Sequence, residues 1–110
     1  MAEAKTKKKV IDIDAAAGGF APVEIRFRGK NYFLGRTVLG ILEISDQYKD
    51  GPGEGESEAS FAVRMVRPSI TALCPELSAV IEKDDLTAGE EIAMLRPLTE
   101  VVQRFGAITF

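Results

Sequence analysis

Apolar and polar residues alternate between Val23 and Leu34, which predicts two antiparallel strands joined by a tight turn. Val23, Ile25 and Phe27 alternate with charged residues, as in a strand with one buried and one exposed face. Gly29-Lys30 is a favourable loop for a type II′ hairpin, because glycine suits its first central position. The pairs that this turn predicts are Arg28 with Asn31, Phe27 with Tyr32, Arg26 with Phe33, and Ile25 with Leu34.

The predicted hairpin has two chemically different faces. Its apolar face carries Ile25, Phe27, Tyr32 and Leu34. Two strands alone are only marginally stable in water, so we expect the chain's own helices to cover this face. The opposite face carries Arg26, Arg28 and Phe33, and the exposed phenylalanine makes these three candidate partner-binding residues.

Helical spacing replaces the alternation after the hairpin. The first predicted helix is capped by Thr37, and the second begins at Glu58 and is kinked or divided near Pro68. Pro75 suits the first position of a third helix, which ends at 83–85. Thr87 and Glu90 form a capping box for the last helix. Pro97 should bend that helix, and Gly106 should end it before an apolar tail at 107–110. The residues predicted for its core face are Ile92, Leu95, Leu98, Thr99 and Val102.

The first predicted helix, from Thr37 to about Lys49, is apolar around more than half of its circumference. A surface helix needs only one apolar stripe. The excess indicates contacts with another protein, and the candidate partner-binding residues on this helix are Ile41, Ile44 and Tyr48.

These elements predict an α+β fold in which a small hairpin packs on about four helical segments. Residues 1–22 are predicted to be a flexible arm, with a short strand at Val10–Asp14 that either extends the hairpin or lies on another subunit. Residues 23–110 then form a single domain. Glycine and proline at 50–57 predict a mobile loop within it.

Composition and charge narrow the classes of function expected of the chain. Four lysines and one glutamate give residues 1–9 a charge of +3, so the net charge of −3 leaves −6 on the other residues. Nucleic-acid binding is therefore not expected of the folded part, although the lysines at 5–9 keep it open as an alternative. No apolar run approaches the roughly 20 residues of a membrane span, and no signal peptide is recognised.

Residues for catalysis are scarce. The chain has no histidine, and its single cysteine, Cys74, excludes an internal disulfide and a cysteine-based zinc site. The acidic pair Asp84-Asp85 and Glu90 are explained by the start of the last helix. We therefore expect a non-enzymatic protein without catalytic residues, metal or cofactor, in a reduced, cytoplasmic compartment.

The order of these features resembles the tail assembly chaperones of long-tailed bacteriophages. The resemblance covers most of residues 10–105, although Phe33 and Pro97 depart from the family's usual pattern. The segments that carry it are VIDID at 10–14, Gly29-Lys30 with Tyr32 and Leu34, TVLGILEI at 37–44, CPEL at 74–77, and Leu86-Thr87 with Glu90 and the later leucines.

The resemblance implies a protein that binds the tape measure protein and keeps it soluble before the tail tube polymerises around it. It also implies self-association, contact with the tail tube protein, and location in the cytoplasm of the bacterial host. The alternative function is a structural subunit that remains in the phage tail or a related particle. An arm and a glycine-rich loop would both suit such a subunit.

Overall fold

The computed structural model describes residues 9–105 and has the predicted α+β fold. The predictions for the first eight residues and for residues 106–110 therefore lie outside the described residues. The elements in chain order are α1 (Ile13–Gly18), β1 (Val23–Phe27), β2 (Lys30–Leu34), α2 (Val38–Asp50), α3 (Glu58–Arg64), α4 (Val66–Leu73), α5 (Pro75–Lys83) and α6 (Ala88–Phe105).

The hairpin forms, but its predicted turn and pairing are wrong. Phe27 pairs with Lys30 and Ile25 with Tyr32, so the loop is Arg28-Gly29. Both loop residues have positive φ, 50° and 81°, as in a type I′ turn, whose twist matches that of the strands. The error shifts the pairing by two residues and therefore exchanges no side chain between faces.

The prediction for the apolar face of the hairpin is confirmed. Phe27, Tyr32 and Leu34 are buried and Ile25 is half-buried. β1 packs against α6, so the chain's own helices supply cover. The buried apolar side chains form one cluster, to which the hairpin and the helices α2 to α6 contribute.

The short strand predicted at Val10–Asp14 is wrong, because α1 begins within it. The Asp12 carboxylate accepts a hydrogen bond from the Ala15 N–H at 3.1 Å and caps this helix. A short helix satisfies backbone groups internally where no neighbouring strand is present to pair with them. Every residue from 9 to 22 is exposed.

The predicted helix starts are confirmed. Thr37 caps α2 through its hydroxyl, and Pro75 stands at the start of α5. α3 and α4 meet at Met65, so Pro68 falls in the first turn of α4, where its missing N–H removes no helical bond. The loop between α2 and α3 contains neither helix nor strand, while its mobility stays a prediction.

The buried face of the last helix is rotated relative to the predicted one. The prediction is confirmed for Leu98, which is buried, and for Leu95 and Val102, which are half-buried against the core. It is wrong for Ile92, which is 66% exposed, and for Thr99, which is exposed, whereas Met94 and Val101 are buried in their place. α6 is continuous through Pro97. No helix among residues 9–105 is long and apolar enough to cross a bilayer.

Candidate protein-binding surfaces

The outward face of the hairpin carries Phe33 and two arginines. Phe33 is 39% exposed, and the Arg36 guanidinium carbon lies 5.3 Å from the centre of its ring. Arg26 is exposed on the same face, diagonally across the two strands from Phe33. These three residues are called the Phe33 patch below.

A small cleft opens beside the Phe33 patch. Its volume is about 210 Å³. Its floor is apolar, because Leu73 and Cys74 are buried, and Glu76 stands at its rim without a described ion pair. The residues that line it are Phe33, Arg36, Thr37, Leu73, Cys74, Pro75 and Glu76.

Arg28 does not belong to this face, which corrects its predicted position. It occupies the turn and reaches the α5–α6 junction instead. Its Nε and Nη2 donate to the two carboxylate oxygens of Glu90 at 3.0 and 2.9 Å. Its Nη1 and Nη2 also donate to the main-chain oxygens of Asp84 and Asp85, both at 2.9 Å. Arg28 therefore fastens the hairpin to the α5–α6 junction, and its guanidinium is engaged within the chain.

A second arginine neutralises the remaining acidic residues of that junction. Arg67 forms ion pairs with Asp85 and with Glu91. Hydrogen bonds from the Leu86 N–H and from Arg67 hold the pKa of Asp85 below its usual value. The Arg28 hydrogen bond and the Thr87 N–H lower the pKa of Glu90 to about 2. These carboxylates are thus fixed as structural anions.

The capping box at this junction is confirmed and has an additional function. Glu90 Oε1 accepts the Thr87 N–H at 2.9 Å, and the Thr87 hydroxyl accepts the Glu90 N–H at 3.1 Å. The same Oε1 accepts a bond from Arg28. One carboxylate therefore caps α6 and binds the hairpin.

The structure corrects the predicted exposure of the α2 residues. Ile41 and Ile44 are buried in the core, and Tyr48 is half-buried with its ring edge-on to Phe61 at 5.8 Å. The physical reason is the close approach of α2 to α4: a Cβ on Gly40 would lie 2.2 Å from the Ala72 carbonyl oxygen. Ile41 and Ile44 therefore support the fold, and Tyr48 leaves only part of its side chain at the surface.

The opposite side of α2 is exposed and apolar, and the sequence prediction missed it. Val38, Leu39 and Leu42 fall within about 100° of the helix circumference. All three side chains are exposed, and Leu39 is the most exposed at 80%. They are called the α2 stripe below. Gly40 was the signal in the sequence, because a glycine inside a helical pattern indicates close packing on its side.

Two observations on the described residues concern reactive and metal-binding groups. Cys74 is a buried free thiol. Residues 9–105 hold no group of three or more side chains that could bind a metal ion. The exposed apolar side chains of the described residues include those of the Phe33 patch and of the α2 stripe, and these two surfaces are the candidates for binding another protein.

Comparison with known proteins adds no relative to this description. No family model, curated protein or solved structure matches the chain.

Proposed function

We propose that this chain is a non-enzymatic tail assembly chaperone of a long-tailed bacteriophage, acting in the cytoplasm of the host cell. It binds the tape measure protein, keeps it soluble, and associates with its own copies during tail assembly. Tail tube subunits then displace it. The order of sequence features that resembles this family supports the proposal, together with the exposed apolar surfaces of the folded chain.

The observation that carries the proposal is the α2 stripe. One side of α2 is fixed in the core by Ile41 and Ile44, so α2 is rigid where it presents Val38, Leu39 and Leu42 to solvent. A rigid apolar stripe suits an amphipathic helix of the client. A long client has many such segments, and many weak contacts along it add up to firm but displaceable coating.

Co-expression with the tape measure protein of the same genome tests the proposal. We expect the chain to raise the soluble fraction of this client and to copurify with it. Leu39→Gln should reduce both effects, because it places a polar group in the stripe while keeping a residue that favours helix. The matched control is Ile92→Gln, which changes an exposed apolar residue on α6. Equal client solubility with and without the chain would refute the proposal.

A structural subunit that stays in the particle is the alternative, and the exposed arm at residues 9–22 favours it. Such arms commonly reach onto neighbouring subunits in assemblies. Mass spectrometry of purified particles separates the two functions. Stoichiometric amounts of this chain in mature particles would exclude a chaperone that leaves before completion.

A further inference from the structure

The outer edge of β1 has no hydrogen-bonding neighbour in the part of the chain that the structure describes. The sheet consists of β1 and β2, so one edge of each strand faces away from the other. The two-residue loop makes Phe27 and Lys30 a hydrogen-bonded pair, and such pairs recur at every second position of an antiparallel hairpin. The main-chain N–H and C=O groups of Glu24 and Arg26 therefore point away from β2. Within residues 9–105 they form no hydrogen bond.

The surroundings of the two edges differ. The edge of β2 ends against the helices, because the Gly35 N–H donates to the Leu73 carbonyl oxygen at 3.1 Å. Beside β1 lies a cleft of about 380 Å³, which successive residues from Ile25 to Arg28 line together with α6. Successive side chains of a strand point to opposite faces, so a cleft that they share runs along the edge of the strand. This edge is therefore open to pairing with another strand.

The sequence of β1 is complementary to itself. Glu24 and Arg26 lie on the exposed face of the strand, on either side of Ile25. When two β1 strands pair antiparallel about Ile25, each Glu24 stands directly opposite Arg26 of the second copy. The same register brings together the main-chain groups of Glu24 and Arg26 that point outward. A shift by two residues in either direction places Glu24 opposite Glu24 or Arg26 opposite Arg26, so charge selects one register.

We propose that two copies of the chain associate through β1, paired antiparallel about a two-fold axis at Ile25. The two hairpins then form one continuous sheet, with the helices of both copies on its inner face. The contact is the same on both copies and closes on itself, as is usual for a two-fold dimer.

The charged side chains that this contact needs are available. Glu24 accepts a hydrogen bond from Asn31 at 2.8 Å through Oε2, while its Oε1 has no described partner. Arg26 is exposed and forms no ion pair within residues 9–105. The other charged residues lining the cleft, Arg28 and Glu90, are paired with each other. The intermolecular ion pairs therefore break no described contact within the chain.

The apolar face of β1 also favours this contact. Val23 and Ile25 are only half-buried against the core. In the proposed register Ile25 lies against Ile25 of the second copy, and Val23 lies against Phe27, so both half-buried side chains lose further contact with water. On the outer face, Phe33 is paired with Glu24 across the hairpin, and its ring flanks the ion pair.

This inference rests on the self-association in the proposed function but not on its client. The client is assigned to the α2 stripe, which is a different surface, so self-association and client solubility are measured separately. A chain that dimerises through β1 without keeping the client soluble contradicts the proposed function alone. A chain that keeps the client soluble but does not associate through β1 contradicts this inference alone.

Charge reversal and its rescue test the contact. We expect Glu24→Arg and Arg26→Glu each to weaken self-association about tenfold, because each places like charges directly opposite one another. An equimolar mixture of the two variants should regain wild-type association, since every arginine of one then meets a glutamate of the other. Sedimentation velocity over a concentration series measures these association constants.

Two control variants change exposed charges elsewhere. Arg96→Glu and Asp50→Arg alter groups with no described ion pair, and they should leave the association constant unchanged. Circular dichroism checks that every variant is folded. A wild-type chain that stays monomeric at all concentrations, as when another segment of the same chain occupies the edge, overturns the proposal. A mixture that does not recover, or equal weakening by the controls, overturns it as well.

Crosslinking tests the register directly. Ile25→Cys should form a disulfide between copies in oxidised glutathione, because residues opposite each other in a non-hydrogen-bonded pair have Cα atoms about 4.5 Å apart. The matched control is Val23→Cys, whose counterpart in the second copy is displaced by about 13 Å along the strand. The native Cys74 is buried, and the wild type should not crosslink. No crosslink with Ile25→Cys, or equal crosslinking with Val23→Cys, contradicts the proposed pairing.

Discussion

Arg28 and Glu90 lie 62 positions apart in the chain and meet through two parallel hydrogen bonds of 3.0 and 2.9 Å. This paired geometry is the strong form of a charge-assisted contact. Arg28 also sits at a positive φ of 50°, which few residues other than glycine, asparagine and aspartate adopt readily. At Arg28 the turn conformation therefore lowers the stability of the fold, whereas the ion pair with Glu90 raises it.

Arg28→Asn separates these two effects. Asn-Gly is the preferred loop of a type I′ hairpin, so the turn itself should improve. The contacts to Glu90, Asp84 and Asp85 are lost. We expect a net fall in the thermal unfolding midpoint of the protein. A midpoint that rises would show that turn strain outweighs the ion pairs, and differential scanning calorimetry makes the measurement.

Stability should fall in acid over a defined range. The folded-state pKa of Glu90 is about 2, below the ordinary value of 4.5. The pKa of Glu56 is also lowered to about 2, first by the hydrogen bond from Arg64 and then by that from the Gly53 N–H. Between these two pKa values the unfolded chain therefore binds more protons than the folded chain. The stabilisation of the fold by these two carboxylates is fully present above about pH 4.5. It is lost as the pH falls toward 2.

Glu90→Gln tests this origin of the acid sensitivity. The amide oxygen can still accept the Thr87 N–H, but the titrating charge is gone. Thermal midpoints measured from pH 6 to pH 2 should decline less steeply in this variant. Glu82→Gln is the control, because Glu82 is exposed and has no described partner. An unchanged slope in Glu90→Gln would mean that other carboxylates dominate.

Tyr32 should be essential to the fold. It is buried on the inner face of the hairpin and meets the Phe27 ring edge-on at 6.4 Å. We expect Tyr32→Ala to lower the free energy of unfolding by about 3 kcal/mol, as for other buried aromatic truncations. Urea titration measures it. No change would show that the inner face is not the core.

Phe33 should be dispensable for the fold but not for assembly. Phe33→Ser removes a ring from the outer face and should change the free energy of unfolding by only about 0.5 kcal/mol. Self-association should weaken about tenfold, as when an interface anchor is truncated. A large loss of stability with unchanged association would place Phe33 in the core instead.

Gly40 should tolerate no side chain. The Gly40→Ala methyl group would meet the Ala72 carbonyl oxygen at 2.2 Å and force α2 away from α4. We expect a loss of about 2 kcal/mol in unfolding free energy, typical of overpacking. The control is Gly89→Ala in α6, where nothing lies within 4 Å. That change should stabilise by about 0.5 kcal/mol through the unfolded chain. Equal effects of the two would contradict the close approach.

Local signals predicted the hairpin faces and the helix starts, because alternation and capping depend on neighbouring residues alone. The turn was not predictable in the same way. Gly29-Lys30 is the better local loop, but Arg28 gains its contacts with Glu90 only when the turn is centred on Arg28-Gly29. A contact between distant parts of the chain therefore decided the register.

The rotation of α6 has a similar origin. Glu90 is held by Arg28, and Met94, Leu98 and Val101 follow it on one side of the helix at four-, four- and three-residue steps. This places Ile92 in solvent, although hydrophobicity alone assigns it to the core. The candidate surface was predicted in part: Phe33 and Arg26 lie outward, but the choice between the two apolar sides of α2 depended on its packing against α4.

The position of α6 at the end of the described chain also affects synthesis on the ribosome. β1 is made early, but α6, against which it packs, is completed only at Phe105. Until then Phe27 and its neighbours on the inner face lack part of their cover, and such transiently exposed strands are prone to aggregate. Nascent chains should therefore be most vulnerable in the interval before α6 emerges. Glu90, near its beginning, provides the first described contact between α6 and the hairpin.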